Sequence, residues 1–201
     1  MKTKNRKHKK GFVLPMMIIL FAVIFSTFFI TKNKSYENYD WTGIRSEIKD
    51  TLINFCNDHY DITSHGVGEM GKTPSQWHRY TFLRKNISYK EALLLKNFPK
   101  SKVKAIAYEI CIRKKPQATY SIMLEALNDT VTHLEYQSGC IGRTYLLAEY
   151  LNIQVSHLGL DSSSRNPIID NPEKLIGMEE YNHLDSLYNY RVSKKWDYIK
   201  Y

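Results

Sequence analysis

Three kinds of side chain stand in the right order for thiol chemistry. Cys140 follows Ser138 and Gly139 at what reads as the start of a helix over 138–151. A helix N-terminus stabilises a thiolate, the nucleophilic form of cysteine. His157 lies in IQVSHLGL, residues 153–160, which reads as a short strand or the end of an extended connection. A histidine brought to such a cysteine can take its proton, and Asp161 or Asp170 can orient the ring.

Papain-like and transglutaminase-like enzymes use such an arrangement, so this set predicts a Cys-dependent hydrolase or transferase. Two features weigh against it. The aromatic-rich strand that follows the histidine in transglutaminase-like folds is absent, and the apolar face of the helix equally wants a small residue at 140. The favoured expectation is therefore no catalytic residue, with Cys140, His157 and Asp161 as the set to test.

Other chemistry finds less support. The remaining histidines (His8, His59, His65, His78, His133 and His183) show neither H-x-x-x-H nor H-E-x-x-H spacing, and no C-x-x-C occurs. No metal and no cofactor is expected. Residues 66–71, GVGEMG, match G-x-G-x-x-G by letter, but a helical segment is expected before them, not a strand. A dinucleotide fingerprint needs a preceding strand, so 61–72 reads as a loop. Cys56, Cys111 and Cys140 are simplest as small buried residues, and their pairing is left open.

Charge narrows the partners. The 201-residue chain has a formal net charge of +9. Six basic residues precede Gly11, and Lys32 and Lys34 follow. From Ser35 onward, 21 basic residues face 20 acidic ones. A nucleic-acid binder carries its basic excess on the folded domain, so no nucleic-acid partner is expected.

The elements that must hold these residues begin with Phe12–Ile30, nineteen residues without charge. That length predicts a transmembrane helix. The order expected is a basic cytoplasmic tail (1–11), a transmembrane anchor (12–30), a linker (31–40) and a helical domain (41–201). The basic tail places the N-terminus inside and the domain outside the cytoplasm. Secretion after signal-peptide cleavage is the rival, although the apolar run is long for one and ends in bulky residues.

Helices are expected at 41–60, from Pro74 to near Asn86, as a pair within 88–114 broken at Pro99, and at 117–128, 138–151 and 178–190. The clearest unit is 88–114. Ser88 and Glu91 form an S-x-x-E capping box, and Pro99 breaks the chain. Val103, Ile106, Ala107, Ile110 and Cys111 then mark one helix face. Ser101 is a candidate cap. Thr73 to Gln76 suggests another capping box, with Pro74 at the first helical position.

VKAIA at 103–107, after a leucine-bearing helix and an Asn- and Pro-containing turn, resembles the HEAT-type repeat, and Val131 follows Val103 by 28 residues. The run 74–151, with PSQWHRYTFL, KEALLL, NFP, VKAIA, LND and SGCI, is also similar to a group of uncharacterised bacterial proteins. The resemblance implies an all-α fold, a short irregular α-α superhelix of HEAT-like helix pairs, and implies no catalytic residue. The expected function is a membrane-anchored module that binds a protein partner outside the cytoplasm.

Overall fold

The structure, a computed structural model, describes residues 16–22, 36, 38–58, 61–158 and 176–198. The chain divides into two compact units, Met1–Tyr39 and Asp40–Tyr201.

In the first unit, residues 16–22 are helical with exposed side chains. Among the described residues no helix is long and apolar enough to cross a membrane. This corrects the anchor expected over 12–30 and the single-pass localisation built on it. Residues 12–15 and 23–30, with any cleavage site there, lie outside the described residues.

In the second unit the elements run α1 (Ser46–Cys56), β1 (Ile62–Val67), α2 (Ser75–Asn86), α3 (Tyr89–Leu95) and α4 (Ser101–Lys114). A 3₁₀ turn (Pro116–Ala118) leads into α5 (Thr119–Asn128). Then come β2 (His133–Gly139), β3 (Ile141–Leu146), α6 (Leu147–Leu158), α7 (Met178–Ser193) and α8 (Lys195–Tyr198). The expected all-α superhelix is thus corrected to helices around a three-stranded mixed sheet. In sheet order β1-β2-β3, β1 runs parallel to β2 and β3 antiparallel to it.

The helix pair around Pro99 forms as its sequence requires. Ser88 Oγ accepts the Glu91 N–H and Glu91 answers to the Ser88 N–H, so both halves of the capping box are made. Helix α4 follows and is buried along most of its length, Cys111 included. It is the spine of the domain. Two finer cap expectations fail. Lys100, not Ser101, precedes α4, and Pro74 precedes α2; neither helix start has a side-chain cap.

In the second expected helix pair the first helix forms as α5, but the segment after it is replaced by strands. Residues 133–146 form a hairpin in which Ser138 faces Ile141. Leu134 is buried and Tyr136 half-buried, while His133 and Glu135 are exposed. That is the two-residue period of a strand. Gly139, at φ +57°, supplies the left-handed residue a tight hairpin needs. The helix expected over 138–151 starts only at Leu147, where the Glu149 carboxylate accepts the Leu146 N–H.

The loop expected over 61–72 contains β1. Ile62 pairs with Tyr136 and Thr63 with Gln137. The strand turns at Gly68 and Gly71, both at positive φ, so that Val67 pairs back onto Lys72. A strand therefore does precede the Gly-rich letters, but α2 opens only at Ser75, beyond them. The strand expected over 153–160 is also corrected, since α6 continues to Leu158.

Candidate functional site

The residues singled out by sequence do not assemble around a helix start. Cys140 is a free, exposed cysteine in the hairpin turn, so the helix dipole expected to stabilise its thiolate is not there. This also corrects its expected place in the core; Cys56 and Cys111 are buried there as free cysteines. His157 falls in the last turn of α6, not on a strand. Asp161 and Asp170 lie outside the described residues. Among the described residues no group of three or more His, Cys, Asp or Glu is placed to hold a metal ion.

A different group of side chains does assemble. It centres on Glu109, a carboxylate on α4 with only 1% of its surface exposed. An unpaired charge at such depth costs several kcal/mol, of the order of 3–5. Glu109 is held by three elements at once. Tyr80 on α2 donates its hydroxyl to Oε2 across 2.7 Å, and Tyr150 on α6 donates to the same oxygen across 3.3 Å. Arg113, one turn further along α4, donates Nε to Oε1 across 2.7 Å. Arg84 on α2 approaches Oε1 to 3.9 Å, an ionic neighbour beyond hydrogen-bond reach. Burial and then the Glu109 charge push the Tyr80 phenol well above its usual range. Tyr150 is raised as well, chiefly by burial. Both hydroxyls therefore stay protonated and act as donors.

The outer side of this network faces a cleft of about 320 Å³. Helix α2 lines it with Trp77, Tyr80 and Arg84, at i, i+3 and i+7, which is one helix face. The Arg84 guanidinium lies over the Tyr80 ring, 5.4 Å from its centroid. Trp77 packs on Tyr80 with ring centroids 5.4 Å apart, and the edge of His65 meets Trp77 at 5.9 Å. Arg113 closes the end supplied by α4. The sheet supplies Thr63 and Tyr136, and Gln154 of α6 stands at the rim. The Tyr136 ring rests against Tyr150, 6.0 Å between centroids.

The charge of this cleft is unbalanced. Its charged lining residues are Arg84 and Arg113. Each is about a quarter exposed, and Glu109 behind them supplies a single opposing charge. One positive charge is left over. Thr63 contributes to the wall from β1, but it pairs with Gln137, so its side chain lies on the sheet face opposite Tyr136, and its hydroxyl is buried without a hydrogen-bond partner among the described residues.

Spacing rules for catalytic motifs pass over these residues, because the cleft is assembled from β1, β2, α2, α4 and α6. One signal was present in the sequence. Glu109 interrupts the apolar run Ala105–Cys111 and has Arg113 four residues on, the spacing of a helical ion pair.

No family model, curated protein or solved structure matches the chain.

Proposed function

We propose that the chain is a binding protein without catalytic activity, and that its Asp40–Tyr201 unit receives part of a protein partner in the cleft beside Glu109. The observation that carries this reading is the pre-set wall of the cleft. Arg113 is tied to Glu109 at 2.7 Å, and the tyrosines that buttress Glu109 come from two further helices. A wall held in this way loses little freedom when a partner docks. Aromatic rings and arginine are the side chains that most often anchor protein partners.

The chemistry of the cleft fits binding better than turnover. Its carboxylate is buried and committed to donors, and Ser64 donates its hydroxyl to the Gly66 carbonyl, not to a base. The thiol-enzyme reading on Cys140 and His157 keeps one supporting observation, the exposure of Cys140. An enzyme of that kind loses its activity in Cys140→Ala, whereas the binding reading expects that variant to behave as the parent.

The test is site-directed photo-crosslinking in cells. A photoreactive residue at Gln154, on the rim, is expected to give a discrete protein adduct that the same residue at Lys90, exposed on α3, does not give. Equal adducts from both positions, or none from Gln154, would overturn the proposal.

A further inference from the structure

The cleft also specifies the chemistry of what enters it. Resting on the reading of this cleft as the binding site, we infer that its floor is a carboxylate pocket. Arg84 and Arg113 bind an acidic group of the partner, with an apolar or aromatic body packing on Trp77 and Tyr136.

Geometry supports this first. Arg113 gives only its Nε to Glu109, and Arg84 stands 3.9 Å from the same carboxylate. Donors of both planar forks are left for a second acceptor. A guanidinium fork matches the two oxygens of a carboxylate and binds them in pairs.

Charge decides the valence. Two guanidiniums against one buried carboxylate leave a single positive charge. A monoanion neutralises it, whereas a phosphate dianion would leave a net negative charge in a partly desolvated site, an arrangement that burial penalises. The ring of Trp77 and the half-buried ring of Tyr136 provide apolar contact beside the charge. An acidic side chain next to an aromatic one, or a C-terminal carboxylate on an aromatic residue, has the matching shape.

The experiment is calorimetric titration of the full chain with N-acetyl-phenylalanine, with its carboxamide and with inorganic phosphate. The acid is expected to bind at millimolar concentration, the carboxamide at least about tenfold more weakly and phosphate no better than the acid. Binding of acid and carboxamide with equal affinity, no binding of the acid, or clear preference for phosphate would each overturn the inference. A Gln154 adduct obtained despite a silent titration would leave the cleft as the partner site and remove only its carboxylate chemistry. Because Arg113→Ala strips a partner from buried Glu109 and can unfold the chain, Arg84→Gln is the decisive variant, since Arg84 stands beyond hydrogen-bond reach of Glu109. It removes the charge but keeps a polar side chain, and is expected to weaken the acid about tenfold while changing the carboxamide much less. Unchanged acid affinity in a folded Arg84→Gln protein would contradict the assignment. A second comparison adds N-acetyl-phenylalanylglycine and N-acetyl-glutamyl-phenylalaninamide. Preference for the first assigns a terminal carboxylate, preference for the second an acidic side chain, and binding of neither counts against the pocket.

Discussion

Tyr80 and Glu109 meet across 2.7 Å in the interior of the domain, the hydroxyl of one helix donating to the carboxylate of another. This contact joins the packing of α2 on α4 to the cleft, because Arg84 and Arg113 flank the same carboxylate from the cleft side. Tyr80→Phe leaves Oε2 with the longer Tyr150 bond of 3.3 Å and is expected to cost about 1–3 kcal/mol. Tyr150→Phe removes the poorer bond and should cost less. Glu109→Leu orphans two hydroxyls and an arginine and should cost about 3–5 kcal/mol. Urea unfolding with unchanged m-values checks the order. A larger loss for Tyr150→Phe than for Tyr80→Phe would contradict the geometry.

A second carboxylate sets the acid stability. Glu91 accepts from the Arg45 N–H at 3.1 Å, from Arg45 Nε at 2.9 Å and from the Ser88 N–H at 2.9 Å. Burial by itself would raise its pKa, but these donors outweigh burial and hold it at about 2, below its ordinary 4.5. A folded pKa below the unfolded one gives stability that is complete above about 4.5 and is lost as pH falls towards about 2. The shift corresponds to about 3 kcal/mol at most. Glu91→Gln should lower stability at neutral pH and flatten its pH dependence between these limits. Unfolding free energy measured from pH 7 down to 2 tests this, and an unchanged acid limb would contradict it.

The thiols should separate by reactivity. Burial pushes Cys56 and Cys111 up to about 11, so they hold almost no thiolate at neutral pH. Cys140 is exposed in the hairpin turn. Brief iodoacetamide treatment of the native chain should therefore give a single adduct, at Cys140 by mass spectrometry. Rapid labelling of Cys111 would contradict its placement in α4.

Removal of the Thr63 hydroxyl should not cost stability. A buried hydroxyl without a partner among the described residues is an unfavourable group, so Thr63→Val should leave the protein as stable or up to about 1 kcal/mol more stable. A loss of about 2 kcal/mol or more would mean that the hydroxyl is bonded in the folded protein. Thermal unfolding measures this.

Local signals made part of the fold legible in sequence. The Ser88–Glu91 box, Pro99 and the 103–111 face act within a few residues of themselves, and α3 and α4 form where they indicate. The sheet depends on distant pairing. Ile62 finds Tyr136 more than seventy residues away, across a crossover that parallel strands require. The glycines in 66–71 masked β1 as a loop, and the helical spacing of Ile141, Tyr145, Ala148 and Leu151 carried the helix expectation over β3. Thiol motifs led to Cys140, while the cleft rests on Arg84, Arg113 and Tyr136. Their proximity exists only once α2, α4 and β2 are packed. Glu109 was the visible clue, a charge within an apolar helix.

The most direct measurement is an NMR titration of the isotopically labelled full chain with N-acetyl-phenylalanine. The account predicts shift changes concentrated on the Thr63 amide and the Arg84 and Arg113 side-chain N–H groups, with the Trp77 indole moving in step. Shift changes centred instead on Lys100, Lys104 and His133, which line a separate surface groove, would contradict it.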